Sequence, residues 1–156
     1  MIDELYSARI LKLAANLPCS GRLAAPEGTG ERVAKLCGSK AIVDVVLDET
    51  GRISAFAQDV TACALGQAAA GVLGEAVFGA SLEEIVTARD AMSAMLKAGG
   101  EGPSGRFEGL RALKQVADYP ARHASTMVAI EATLDGVRQA MARDRADTRT
   151  SLAGAA

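Results

Sequence analysis

The sequence predicts an α+β domain in which a three-stranded antiparallel sheet packs against about five helices. Three observations predict it. The run Ala41-Ile42-Val43-Asp44-Val45-Val46-Leu47 is β-branched and suits a pleated surface, and strand-like segments flank it. After Thr61 the apolar residues change to helical spacing, with Leu65, Ala69, Val72, Leu73 and Ala76 on one face. Ser81 then stands three residues before Glu84, the signature of a reciprocal helix cap. At 156 residues the chain is long enough for one domain with a true core.

The elements follow in order. Residues 3–16 read as an amphipathic helix with Tyr6, Ile10, Leu13 and Leu17 on its apolar stripe, ended by Pro18 and Gly21. Ala25 to Gly30 reads as a flexible connector. Glu31 to Leu36 is a short, mixed first strand, and Ala41–Leu47 is the second. Asp48-Glu49-Thr50-Gly51 supplies the hairpin turn into a third strand from Arg52 to Val60. A Gly-containing helix extends to about Phe78, and Gly66, Gly71 and Gly74 imply close packing against neighbours. The capped helix continues with Leu82, Ile85, Arg89, Met92 and Leu96. A Gly-rich loop over 98–107 precedes a short helix at Leu110–Val116. Pro120 opens the last helix, whose stripe is Met127, Ile130, Leu134, Val137 and Met141. The domain is expected to span 1–143, with a disordered tail over 144–156.

Composition excludes several classes. Net charge is −2, no Lys/Arg block forms a basic patch, and aromatic residues make up 3%, so nucleic-acid binding is disfavoured. The longest apolar stretch, Ala62 to Ala80, is broken by Gln67 and Glu75 and is rich in Ala and Gly; a buried helix explains it better than a membrane span. Met1-Ile2-Asp3-Glu4 lacks the basic and apolar regions of a secretory signal, which makes the cytoplasm the expected compartment. Three cysteines, Cys19, Cys37 and Cys63, argue against a disulfide framework there. Packing, metal binding and sulfur chemistry all remain open for them.

Cys37 precedes Gly38-Ser39 in the turn before the second strand, and Cys63 lies where the third strand yields to a helix. In an antiparallel meander these two joints fall at the same end of the sheet. Backbone N–H groups at a helix start favour a thiolate, which singles out Cys63 as the reactive thiol. His123, the single histidine, opens the last helix beside Arg122, whose charge offsets that of thiolates. Cys, Cys and His are sensible ligands for zinc or iron–sulfur centres. A buried packing role for either cysteine and a capping role for His123 are the plainer readings. Cys19, in Pro18-Cys19-Ser20-Gly21, reads as structural. No nucleophile–base–orienter set is visible, so no enzymatic turnover is expected.

The order of three segments carries a resemblance: Leu36-Cys37-Gly38-Ser39, then Thr61-Ala62-Cys63-Ala64-Leu65-Gly66-Gln67-Ala68-Ala69, then Arg122-His123-Ala124-Ser125. From about residue 3 to residue 140 the sequence resembles the U-type (NifU-like) iron–sulfur cluster assembly scaffolds. The resemblance implies a platform that takes sulfur as persulfide from a cysteine desulfurase, together with ferrous iron. It then passes a labile [2Fe–2S] cluster to recipient proteins. Cys37 and Cys63 match the first two family cysteines, with Cys63 as sulfur acceptor, His123 as a third ligand, and Ser39 and Arg122 in support. The third cysteine is absent, its place after His123 being assigned to Ala124. The family's acidic residue after Cys-Gly is replaced by Ser39, followed by Lys40. The Pro-rich segment before the third cysteine is reduced to Tyr119-Pro120-Ala121-Arg122. The alternative is a zinc-binding or metal-free protein that docks to a desulfurase and modulates it. A sulfurtransferase using Cys63 alone is a third option.

Overall fold

The computed structural model describes residues 7–154, with side chains described through Arg143. Its elements are helix α1 (Ala8–Ala15), strands β1 (Gly28–Ala34), β2 (Ser39–Leu47) and β3 (Ile53–Thr61), helices α2 (Ala64–Ala76) and α3 (Leu82–Ala98), a 3₁₀ segment (Gly105–Asp118), a 3₁₀ turn (Pro120–Arg122) and helix α4 (His123–Gly154). The sheet is an antiparallel meander in the order β1-β2-β3, so the expected α+β architecture holds. Met1 to Tyr6, with the first part of the expected N-terminal helix, lie outside the described residues.

One face of the sheet carries the core. Along β2 the residues Ser39, Ala41, Val43, Val45 and Leu47 alternate inward and are all buried, as period-two patterning requires. Helix α4 lies across this face, mainly over β1 and β2. The approach is backbone-close. A Cβ on Gly30 would run into the Ala132 carbonyl oxygen and lie 2.7 Å from the Gly136 nitrogen, and one on Gly28 would meet the Gly136 carbonyl oxygen. Gly28 and Gly30 are therefore strand residues rather than connector, and β1 begins three residues before the expected Glu31. Small residues at Ala129, Ala132, Gly136 and Ala140 form the matching stripe on α4, all but Gly136 belonging to the buried core.

On the opposite face, Asp44 is fully buried and holds the segment before β1. Its carboxylate accepts two bonds from Arg22 (2.7 and 3.1 Å), one from the Thr29 hydroxyl (2.7 Å) and one from the Leu23 N–H (3.0 Å). Burial pushes this carboxyl up, but the Arg22, Thr29 and Leu23 bonds outweigh it and hold it below the ordinary aspartate range.

Helix α2 is buried along nearly its whole length, from Leu65 to Gly74. Gly71 lies against the Leu13 carbonyl of α1, at 2.7 Å from a notional Cβ. Its apolar run is thus a core helix, and no described helix is long and apolar enough to cross a membrane. Helix α3 starts on the expected reciprocal cap: the Glu84 N–H donates to Ser81 Oγ (3.2 Å), and the Ser81 N–H to Glu84 Oε1 (3.4 Å). The short helix expected at Leu110–Val116 is part of the longer 3₁₀ segment, interrupted by non-helical Phe107. Leu110, Leu113 and Val116 are its buried stripe, at the three-residue period of that helix.

Helix α4 continues to Gly154, where the sequence reading places a disordered tail from residue 144. Between Met141 and Gly154 the chain has repeated Ala and Arg and no Pro or Gly, so propensity lets the backbone helix propagate. Residues 155–156 lie outside the described residues.

Candidate functional site

Three joints meet at one end of the sheet. The turn from β1 to β2 carries Cys37, with Gly38 at φ +72 providing the reversal. The β3 residue Thr61 pairs with Lys40 at the start of β2, which puts the β3–α2 joint and Cys63 beside that turn. Cys63 is the N-cap residue of α2. The first turn of α4 closes the corner with Ser125, fully buried. Ser125 lies seven residues before Ala132, two helical turns along the same sheet-facing stripe. Gly66 makes room for it: a Cβ there would sit 2.9 Å from the Ser125 carbonyl oxygen and 3.3 Å from its hydroxyl.

The four side chains form one chain of short contacts. Cys37 Sγ is 3.1 Å from Ser39 Oγ, Ser39 Oγ is 3.0 Å from Ser125 Oγ, and Ser125 Oγ is 3.1 Å from Cys63 Sγ. The two thiols, 26 positions apart in sequence, are thereby bridged by two buried hydroxyls. Each hydroxyl can donate or accept, so the bridge adapts to a thiol or a thiolate at either end.

Both thiols are tuned toward the thiolate. At Cys37 the Ser39 hydroxyl, then its backbone N–H, lower the pKa; partial burial opposes them, and the Ser125 hydroxyl and the Arg122 charge assist. At Cys63 burial is the largest influence and pushes the thiol up. The Ser125 hydroxyl, the backbone N–H groups of Gly66 and Leu65, and the Arg122 side chain together outweigh it, and the net displacement is downward. Cys37 is exposed and Cys63 half-buried.

His123 is elsewhere. About 200° of helical rotation separates it from Ser125, and its Nε2 hydrogen-bonds the Val116 carbonyl (2.9 Å) and approaches that of Ala117 (3.3 Å). The Nε2 carries the proton in this arrangement, since a carbonyl can only accept. The ring lines a groove with Arg32, Lys97, Pro120, Ala124 and Met127. The expected gathering of Cys37, Cys63 and His123 is therefore not what the fold produces, because the last turn of the 3₁₀ segment uses the imidazole as a cap. Among the described residues, no three His, Cys, Asp or Glu side chains are grouped to hold a metal ion.

The place opposite the two thiols belongs to Ser125 rather than Ala124, which is exposed. A hydroxyl, not a methyl group, faces the thiol pair. The signal was the small-residue stripe of α4, which extends back from Ala132 to Ser125. Ser39 and Arg122 are both at the site, Ser39 by direct contact and Arg122 by its effect on both thiols. Cys19 is not at this corner: it holds φ +58, its carbonyl accepts from the Gln58 N–H in mid-β3 (2.8 Å), and burial raises its thiol.

Fold and site together define a small α+β domain with two thiols, one exposed and one half-buried, gathered at one end of its sheet. The chain belongs to the family described as the NifU-like N terminal domain, whose sequence model matches residues 5–126. Among solved structures it is similar to a nitrogen-fixing NifU-like protein (N-terminal) from Brucella abortus, at 43% identity over 90% of this chain and 96% of that one, with a TM-score of 0.86. It also shares the fold of a protein from Fervidobacterium islandicum, described as an iron–sulfur cluster assembly scaffold for the SUF system. That similarity is 18% identity, with 85% of this chain and 96% of that one covered and a TM-score of 0.77. No curated protein matches the chain.

Proposed function

We propose that this protein is an iron–sulfur cluster assembly scaffold that binds ferrous iron and sulfur at the Cys37–Cys63 corner and hands a labile [2Fe–2S] cluster to recipient proteins. Membership of the NifU-like scaffold family supports the class. The observation that carries the reading is the pair of acidified thiols joined through Ser39 and Ser125. Iron and cluster are cargo here, so the chemistry of the donor set decides the fit. Two thiolates are strong soft ligands, whereas neutral hydroxyls are weak ones. Half of the four terminal positions of a [2Fe–2S] unit are thus well served, which suits a cluster that is held briefly and given up. Arg122 offsets the anionic charge that such a cluster carries. Sulfur arrives as persulfide from a cysteine desulfurase and comes to rest on Cys63. The protein turns over no substrate of its own and works in the cytoplasm.

Anaerobic incubation with ferrous iron, cysteine and a cysteine desulfurase tests this. The expected result is a visible charge-transfer spectrum that disappears in both Cys37→Ala and Cys63→Ala. Stoichiometric zinc with no spectrum under any condition would instead favour the zinc-binding reading.

A further inference from the structure

Strand β1 forms one edge of the sheet: it pairs with β2 and with no other strand. Its backbone alternates in direction. The Ala34 carbonyl turns toward β2 and accepts from the Gly38 N–H (2.8 Å), whereas the Thr29 N–H turns away and donates to Gln139 Oε1 of α4 (2.7 Å). By that period of two, the N–H and C=O groups of Glu31 and Val33 also point away from β2. Among the described residues they have no hydrogen-bond partner, and Glu31, Arg32 and Val33 are all exposed.

Beside this open stretch lies a groove of about 410 Å³, lined by Arg32 and Val33 of β1, Ser93 and Lys97 of α3, and Met127 and Val128 of α4. The acidic side chains around it are already engaged. Glu131 accepts from Arg89 (3.3 Å), Asp135 pairs with Arg32, and Glu31 pairs with Lys40 (3.1 Å). Lys97 in the groove and Lys35 just past β1 enter none of the ion pairs among the described residues. The surplus charge along this edge is therefore positive.

We propose that the β1 edge is the docking site for an extended, acidic segment of a partner protein, which adds a strand at Glu31–Val33 and lays alternate side chains into the α3–α4 groove. Main-chain pairing supplies affinity, and the groove supplies selection: apolar side chains over Met127 and Val128, carboxylates toward the two lysines. A second copy of this chain fits less well. Pairing β1 with its two-fold mate brings the mate's α4, which overlies β1 on the same face, into the space that α3 borders. Charged Glu31 and Arg32 also discourage unselective edge pairing. Because β1 runs directly into the turn carrying Cys37, a docked segment lies beside the thiol pair without occupying it.

The inference concerns a surface and needs neither iron nor sulfur, so it stands or falls apart from the scaffold reading. The test is amide hydrogen exchange of the full chain, resolved by NMR. The probe is a synthetic peptide of alternating Glu and Val, and the control is the same peptide with Lys in place of Glu. The Glu31 and Val33 amides are expected to exchange about tenfold or more slowly with saturating Glu/Val peptide, and the Lys/Val peptide to give no protection. Val33→Pro removes one outward N–H where an edge strand tolerates proline, and Lys97→Glu reverses the groove's charge. Each is expected to weaken binding about tenfold, with circular dichroism confirming the fold. No protection at millimolar Glu/Val peptide, equal protection by the Lys/Val peptide, or unaltered binding in either variant would overturn the proposal. Protection of Glu31 and Val33 that rises with protein concentration in the absence of peptide would overturn it too, by giving the edge to a second copy.

Discussion

Replacing Ser125 by alanine removes the hydroxyl that contacts Cys63 and, through Ser39, links it to Cys37. In the intact protein that hydroxyl lies 3.1 Å from Cys63 Sγ and 3.0 Å from Ser39 Oγ, with no exposure to water. A hydrogen bond to a charged acceptor is worth about 1.5–3 kcal/mol, so its loss lowers the Cys63 thiolate population, below the thiol's pKa, by roughly ten- to hundredfold. The surviving thiolate is a stronger nucleophile, because reactivity rises with basicity with a coefficient of about 0.4–0.5. The net fall in its rate with a disulfide reagent is then roughly four- to fifteenfold. The assay is the pH dependence of that rate, resolved for the Cys63 peptide by mass spectrometry. Because the Cys63 pKa is displaced downward in the native site, the wild-type rate rises at lower pH than that of an ordinary thiol. In Ser125→Ala the rise moves to higher pH. An unchanged Cys63 profile would refute the bridging role given to Ser125.

The remaining outcomes concern the frame around the site. Gly30→Ala drives a methyl group into the α4 backbone at Ala132 and Gly136; a stability loss of about 1–3 kcal/mol or more is expected in urea unfolding, and a wild-type midpoint would exclude the close helix–sheet contact. Asp44 has a depressed carboxyl, so its contribution is fully present above the ordinary aspartate pKa and is lost as pH falls through the lower native value. Asp44→Asn is expected to be less stable at neutral pH and to show a smaller further loss on acidification, measured by thermal melts across that range. His123→Ala removes the cap on Val116; it is expected to cost about 0.5–1.5 kcal/mol while leaving iron retention unchanged, and a lost visible spectrum would restore His123 as a ligand.

Much of the frame was legible because it depends on local rules. The β-branched run of β2, the Gly51 turn and the Ser81–Glu84 cap each declare themselves within a few residues. The meander also determines which joints adjoin, and that alone was enough to bring Cys37 and Cys63 to one end. What escaped was set by contacts between distant segments. Gly28 and Gly30 read as a connector because glycine is depleted in strands; their reason for being there is a helix more than 100 positions away. Motif position puts Ala124 in the third cysteine's place, and the start of the last helix puts His123 near the same corner. The helix instead settles the matter by phase, and its phase is fixed by the small residues that sit on the sheet. A shift of one or two positions on a helix turns a side chain from the thiols toward a different groove.

The register of α4 against the thiol pair can be tested by placing a cysteine at each of the two competing positions. Iron–sulfur clusters reconstituted on the wild type, Ser125→Cys and Ala124→Cys would be challenged with a ferrous chelator and the decay of visible absorption followed. The expected result is a cluster that survives longer in Ser125→Cys, where a third thiolate faces Cys37 and Cys63, with Ala124→Cys decaying like the wild type. Protection by Ala124→Cys and none by Ser125→Cys would contradict the placement of the site.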